Sequence, residues 1–515
     1  MSATPKLHEH SDSHGNRRGK LPAGPRMPSE LQALGWALRP LPFMMSCRRR
    51  YGDIFTLRVR RNRPWVFLSA PDDVGKVLTI APELVRAGAG EANPLLGPLL
   101  GPRSVMLLDE PDHMTHRRFM LPSFHGQMMR SYGEMMVDVA RAEIARWPVG
   151  QPLALWPRMQ AISNEVVMRA TFGSTDSPQM ERLRTLLQRL TDFLNDSSRL
   201  TVLATFGSRF LERSERFRAV IAPVEAALLE EVRARRAARA GAAVGNGAAG
   251  VGNGAAGGAA HDDDFEDANH AACIGAADGA AHDGNFADAN QAAHNGGILA
   301  MLEQAYDEHG TPMSEQEVRD ELITLLSDGP TATSLSWAFE RLLRHPDKLR
   351  RLRAEVEAGE EETYVDAVVK ETLRLAPAVP LVMRGLVEPM RLGGHHIPAG
   401  TIVAPCIYLV HHRDDIYPRP FSFTPERFLG KAPDNYTWIP FGSGVRRCVA
   451  AQFAQLEMKR VMQTVIEEVE LAPAPSAGSQ RATRSSVAFA PGDQAPVVVT
   501  RRRTPRAKAA TLAAV

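Results

Sequence analysis

The chain has 515 residues, 44% of them hydrophobic, with 61 basic against 59 acidic side chains. That length and apolar content allow one large domain with appendages or two to three ordinary ones, and the balanced charge gives no ground for nucleic-acid binding. The four cysteines, Cys47, Cys273, Cys406 and Cys448, include no CxxC pair and no zinc-like spacing, which argues against a disulfide framework and suits a reducing cytosol.

Residues 1–20 are polar, lack the apolar centre of a signal peptide and are expected to form a disordered tail. No stretch reaches the ~18 uninterrupted apolar residues that span a membrane, so a cytoplasmic protein without a transmembrane segment is expected. A proline-rich lead-in, LPAGPRMP (21–28), precedes two runs, YGDIFTLRV and PWVFLSA, that read as paired strands. From about residue 110 to 235 apolar residues recur at three- and four-residue spacing, as in MMVDVARAEIARW, and predict helices.

Residues 241–297 break this pattern. They are dominated by Ala, Gly, Asn, Asp and His, carry too little apolar surface to offset their ordering entropy, and read as a flexible insertion between two helices. The HDDD run at 261–264 reads as solvated filler rather than a metal site. Helical spacing returns at Ile298 and continues through SEQEVRDELITLLSDG, LSWAFERLLRHPDKLRRLRAEVEAG and YVDAVVKETLRLA. Short strand-like pieces lie in MRLGGHHIPAGTIVAP, a last helix in AAQFAQLEMKRVMQTVIEEV, and a basic tail at 500–515. Helices dominate without βαβ alternation. The expected architecture is mainly α with small β-sheets, a single large domain over 21–499 interrupted by the insertion.

The stretch FGSGVRRCVA (441–450) places Cys448 in a glycine-rich loop just before the last helix. Gly442 and Gly444 allow tight turns and let a flat ligand approach the main chain. The helix start and the neighbouring Arg446 and Arg447 favour a thiolate. Three roles are open: nucleophile, redox thiol and metal ligand. No histidine stands in a telling relation as a base, and no resolving cysteine lies nearby. A single thiolate suits haem iron.

On these residues the loop resembles the haem-binding segment of the cytochrome P450 superfamily, with Phe441, Gly442, Gly444, Arg446 and Cys448 matching and Ala450 standing where the family pattern has glycine. Companions occur in the family's order. ETLR supplies Glu371 and Arg374, and PERF supplies Arg427, which the resemblance places in one buried network serving the placement of the haem loop. DEPDHMTHRRFMLPSF supplies His113 and Arg117, four apart on one helix face, which with Arg384 and Arg446 are implied to hold the haem propionates. The resemblance implies a haem-thiolate fold with Cys448 as the proximal ligand to the iron of haem b, and oxygen insertion from O2 into an apolar substrate. Electrons would come from a separate ferredoxin or flavodoxin with its reductase, because the roughly 65 residues after the loop are too few for a flavin domain.

The distal segment departs from the family pattern. LITLLSDGPTATSLSWAF (322–339) is about two residues short, so anchoring on Gly329 or on Trp337 gives different registers. Two residues are about 200° of helix rotation, so the two registers cannot present one face. Pro330 is expected to open the helix here. Thr331 or Thr333, with Asp328 or a water chain, is expected to supply the distal hydroxyl; capping or back-bonding is the other reading of both threonines. A non-catalytic haem-binding or sensing protein and a peroxide-using haem-thiolate enzyme are the alternatives, and a thiol redox enzyme without haem is the third. The pairs His395–His396 and His411–His412 read as ordinary loop or surface histidines, and the paired methionines at 44–45, 128–129 and 135–136 as core filling. The resemblance implies that residues 86–107 roof the substrate pocket, where Leu95, Leu96 and Leu99 would suit an apolar substrate; core packing is the other reading of these leucines.

Overall fold

Where apolar residues recur every three to four positions, the computed structural model is helical. It describes residues 21–60, 63–86, 96–173, 176–195, 212–246, 296–327, 330–359, 362–476, 478, 482–485 and 488–503. Helices α1 (Ser29–Leu38) and α2 (Pro40–Tyr51) lead into strands β1 (Ile54–Arg60) and β2 (Arg63–Leu68), which pair antiparallel as their apolar composition predicts. β3 (Val85–Arg86), β5 (Arg384–Leu386) and β8 (Ile402–Pro405) extend them into a five-stranded sheet ordered β1-β2-β8-β5-β3, in which only the β2–β8 pair is parallel. This sheet joins residues 54–86 to residues 384–405 and carries Arg384 at the start of β5.

The helical part holds α3 (Pro71–Leu78), α4 (Leu96–Leu100), α5 (Asp112–Met120), α6 (Gln127–Ile144), α7 (Leu155–Phe172), α8 (Pro178–Asn195) and α9 (Glu215–Asn246). After the low-complexity segment come α10 (296–304), α11 (Glu315–Leu326), α12 (Pro330–Arg344), α13 (Pro346–Ala358) and α14 (Thr363–Leu375). The short α15 (Ile407–His411) and the long α16 (Ala451–Glu468) bracket the cysteine loop. β4 (Pro152–Ala154), β9 (Val469–Pro473) and β12 (Pro496–Arg502) make a second sheet ordered β4-β12-β9.

Helix α12 is the centre of the main core. Ala332, Leu335, Ala338 and Phe339 are buried on it, packed with residues of α7 and α16 such as Val166, Met458 and Met462. Met44, Met128 and Met136 are buried, so these methionines fill cores rather than line a pocket. α9 continues through 241–246 and α10 begins at 296, so both helices run into the low-complexity segment, whose residues 247–295 lie outside the described ones. Residues 500–502 belong to β12, while 1–20 and 504–515 lie outside the described residues.

A buried ion network fixes where the cysteine loop sits. Glu371 and Arg374, three apart on α14, are both fully buried and meet in a bidentate pair of 2.7 and 2.9 Å. Arg374 donates further to the carbonyls of His411 (2.7 Å), Pro420 (2.8 Å) and Ser422 (3.3 Å). Arg427 reaches Glu371 at 3.1 Å, and the Thr424 amide donates to the same carboxylate at 2.8 Å. Both guanidiniums stand over the ring of Tyr417, 5.0 and 5.8 Å from its centroid.

His411 carries the network onward: its Nε2 accepts the Ile439 amide at 2.8 Å and its Nδ1 faces the Arg374 carbonyl at 3.2 Å. The expectation of surface histidines is therefore corrected for this pair. His411 and His412 lie at the end of a short buried helix rather than on a strand, and both rings are buried, whereas His395 and His396 are half-buried and exposed on β7 (His395–Ile397).

Two outcomes follow from the network. Glu371→Gln leaves the buried Arg374 and the half-buried Arg427 facing a neutral partner, and the denaturant midpoint is expected to fall by the equivalent of about 3–5 kcal/mol; an unchanged midpoint would remove the network from the fold's foundations. Burial, with Arg374 nearby, holds His411 well below the ordinary imidazole value, and burial brings His412 to about 3. The unfolded chain then takes up protons below pH ~6.5 that the native rings refuse, so stability falls as pH falls from there. His412→Gln is expected to flatten that dependence by about 1.4 kcal/mol per pH unit between roughly pH 6 and 5, read from urea midpoints.

Candidate functional site

The cysteine loop is a backbone-determined object. The amide of Gly442 donates to Ile439 O at 3.0 Å, that of Arg447 to Gly444 O at 3.0 Å, and that of Cys448 to Phe441 O at 2.9 Å. Gly442 and Gly444 have φ of +71° and +69°, a region L side chains avoid. At Gly444 a Cβ would also lie 2.0 Å from the Leu78 carbonyl at the end of α3, so glycine is required there twice over. Around Gly442 a Cβ would meet nothing within 4 Å, which leaves open space against the main chain.

Cys448 is exposed on this turn and outside any disulfide, three residues before the first residue of α16. The other two described cysteines are unsuited to a thiolate role. Burial pushes the Cys47 thiol up to about 11 and the Cys406 thiol up to about 12.

Four basic side chains from distant parts of the sequence meet beside the loop. Arg446 donates to Leu108 O at 2.7 Å, and Arg117 on α5 donates to Arg447 O at 2.6 Å. Arg384 is buried, and among the described residues its hydrogen bond goes to Met383 O at 2.8 Å. His113, also buried, has Nδ1 turned to Glu110 at 2.7 Å, so Nε2 is the nitrogen left for another partner.

These groups feel one another. Burial and then Arg446 bring Arg384 down to about 10, and burial lowers Arg446, with Arg117 adding to it. Burial and Arg446 bring His113 down to about 4 against the pull of Glu110. Buried cations that repel are costly unless an anion lies among them. Glu110 and Asp109 are the nearby carboxylates, the latter 3.8 Å from Arg446. A dianionic planar group, carboxylates among the guanidiniums and flat face toward Gly442, fits this donor set, as haem with its two propionates does.

α11 ends at Leu326 and Ser327 forms a turn, residues 328 and 329 lie outside the described ones, and α12 is described from Pro330. Thr331 and Thr333 are both buried, and their two-residue separation turns them to different faces of α12. Ser334 and Ser336 back-bond to the carbonyls of Pro330 and Ala332 at 3.0 and 2.8 Å, while Thr333 makes no side-chain hydrogen bond among the described residues. Asp328 lies outside the described residues, as does Leu95. Leu99 is packed in the core and Leu96 is half-buried against it.

Sequence reasoning missed Leu108 and Glu110 as partners of Arg446 and His113. Glu110 stands inside the same DEPDH segment, whereas a carbonyl such as that of Leu108 leaves no trace in side-chain pattern. Among the described residues no group of three His, Cys, Asp or Glu side chains forms a metal cluster, and no helix is long and apolar enough to cross a membrane.

The comparisons with known proteins agree with this geometry. The family model described as Cytochrome P450 matches residues 22–493. Cytochrome P450 135B1 of Mycobacterium tuberculosis is 35% identical over 468 residues, covering 89% of this chain and 87% of the relative. Cytochrome P450 138 of the same organism is 32% identical over 495 residues, covering 94% and 97%. Among solved structures, retinoic acid-bound cyanobacterial CYP120A1 superposes with a TM-score of 0.70 at 21% identity, covering 94% of this chain and all of that one. The cytochrome P450DA heme domain gives 0.71 at 20%, covering 94% and 98%. The structures establish the fold, and the family implies a haem cofactor, O2 and a redox partner. With a family model matched along nearly its whole length and relatives above 30% identity over most of both chains, this chain belongs to the cytochrome P450 family and is an oxidoreductase of the haem-thiolate monooxygenase type.

Proposed function

We propose that the chain binds haem b with Cys448 as the proximal iron ligand and inserts one oxygen atom from O2 into an apolar organic substrate. One observation carries this reading: an exposed cysteine on a rigid glycine turn, beside largely buried basic side chains that outnumber their carboxylates. Haem, when bound, supplies oxygen activation, with electron donation from the thiolate favouring O–O cleavage. Phe441 and Gly442 would lie against its face, Arg117, Arg384 and Arg446 would neutralise its carboxylates, and His113 would hydrogen-bond one of them through Nε2.

On the distal side Thr331 or Thr333, with Asp328 or a water chain, would hold a transferable proton at Oγ1. The available hydroxyl of Thr333 supports its candidacy. The apolar substrate is carried over from the family resemblance, since Leu99 belongs to the core and Leu96 packs against it. Electrons would come from a separate ferredoxin or flavodoxin with its reductase, docking near Arg446 and Arg447, and the cytoplasm is the compartment proposed. The interruption at Ser327 favours a second reading, a peroxide-using enzyme or a non-catalytic haem sensor; turnover with a surrogate redox partner separates it from the first.

The ferrous–carbon monoxide difference spectrum tests the ligand. The wild type is expected to show the strongly red-shifted thiolate Soret band and Cys448→Ser to lose it; a band at the ordinary position in fresh wild-type protein would sink the proposal. The distal role is read from coupling. With both Thr331→Val and Thr333→Val in one chain, the fraction of consumed electrons recovered as product is expected to drop about tenfold or more, with peroxide rising in its place. Unchanged coupling would leave the threonines as helix-capping groups only.

A further inference from the structure

Residues 101–108 run between the distal helix α11 and the basic cluster, and side chains hold them at both ends. The amide of Arg103 donates to Asp320 Oδ2 and that of Val105 to Glu321 Oε1, each at 2.8 Å, so consecutive carboxylates of α11 take two backbone amides of the loop. Ser104 and Thr324 share a hydrogen bond of 2.7 Å. Gly101 passes so near Asp320 that a Cβ would lie 2.4 Å from its carboxylate. At the other end Leu108 O accepts from Arg446 Nη2 at 2.7 Å.

Glu321 joins a third element to this strap. The oxygen that accepts the Val105 amide also lies 2.8 Å from Nδ1 of His116 on α5, three residues after His113 and next to Arg117. Both His116 and Glu321 are buried, and Glu321 Oε2 has no partner among the described residues. Burial raises the pKa of Glu321 and Asp320 adds to this, while His116 and the Val105 amide act against it. On its far side His116 Nε2 lies 3.7 Å from Glu317, the residue that closes the capping box of α11 with Ser314. One carboxyl oxygen thus ties the distal helix to a loop that ends on Arg446 and to the helix that bears His113 and Arg117.

We propose that Glu321 and His116 form a positioning pair that sets, from the distal helix, where the positive charge of Arg446 and Arg117 stands around the haem. The proposal rests on the haem-site reading above. Neither residue touches the basic cluster; they act through Val105, Leu108 and α5. A guanidinium held close to the iron favours the ferrous state, which carries one positive charge fewer, so loosening the strap lowers the reduction potential.

The test uses holoenzyme. In Glu321→Gln a neutral acceptor replaces the carboxylate, and in His116→Leu the donor is lost. For both, amide hydrogen exchange in 101–108 is expected to rise about tenfold and the ferric–ferrous midpoint potential to fall, with the thiolate position of the carbon monoxide band unchanged. His116→Asn, whose amide can reproduce the Nδ1 donor, is expected to restore both readings toward wild type. Unmoved exchange in Glu321→Gln and His116→Leu would overturn the proposal, as would faster exchange with an unmoved potential, which would make the pair a loop fastener alone. A wild type without the thiolate band would overturn the haem reading and the charge-setting role with it, whereas a thiolate band with an unmoved potential would overturn the positioning pair only.

Discussion

The site depends on one buried carboxylate, Glu371. Two guanidiniums, Arg374 and Arg427, and the Thr424 amide converge on it. Two positive groups around one fully buried negative one hold together because the surplus donors of Arg374 find the carbonyls of His411, Pro420 and Ser422. That requirement draws the segment from 411 to 427 against α14. His411, buried and neutral, then passes the constraint to Ile439, and the Trp438 indole fastens the same stretch to Lys370 O at 3.1 Å. Cys448 is placed by backbone hydrogen bonds counted from Ile439 onward, so its position is inherited from an ion network that it never touches.

The opposite balance holds at the basic cluster. There the cations are largely buried, and Arg446 lowers Arg384 as Arg117 lowers Arg446. A structural network satisfies its own charges, whereas buried cations that repel favour an incoming anion, as the proposed haem site requires. This contrast separates the two arginine groups by physics, where the sequence shows only arginines. It also couples folding to cofactor loading, since an anion that binds among these groups stabilises the native state by mass action.

The cysteine turn and the Glu371–Arg374 pair were legible because short-range geometry specifies them: positive-φ glycines two apart, and an acid and a base three apart on a helix. The mainly α architecture and the β1–β2 pairing followed from periodicity for the same reason. His411 was not legible. Adjacent histidines at a strand end read as solvated, and only the approach of Arg374 and Ile439 from elsewhere in the chain makes the ring a buried connector. The strap from Gly101 to Leu108 was hidden likewise, because it is built from amides and carbonyls that any residue carries. Composition drew the edges of the low-complexity segment at 241 and 297, whereas α9 runs on to Asn246, since a helix already nucleated extends over Ala242 and Ala243 at little cost.

Helices α11 and α12, which flank the proposed distal residues, are each held by their own partners. α11 is fixed by its capping box at Ser314 and Glu317 and by Asp320, Glu321 and Thr324 on the loop from Gly101. α12 is fixed by Ala332, Leu335 and Phe339 in the core and by the Trp337 indole on Phe489 O at 2.7 Å. Neither helix can turn without losing those contacts. Ser327 leaves helical geometry at the end of α11, and α12 is described from Pro330, a residue with no amide to place in a helical hydrogen bond. Because the two helices are fixed independently, a substitution at Thr331 or Thr333 leaves the contacts of α11 in place.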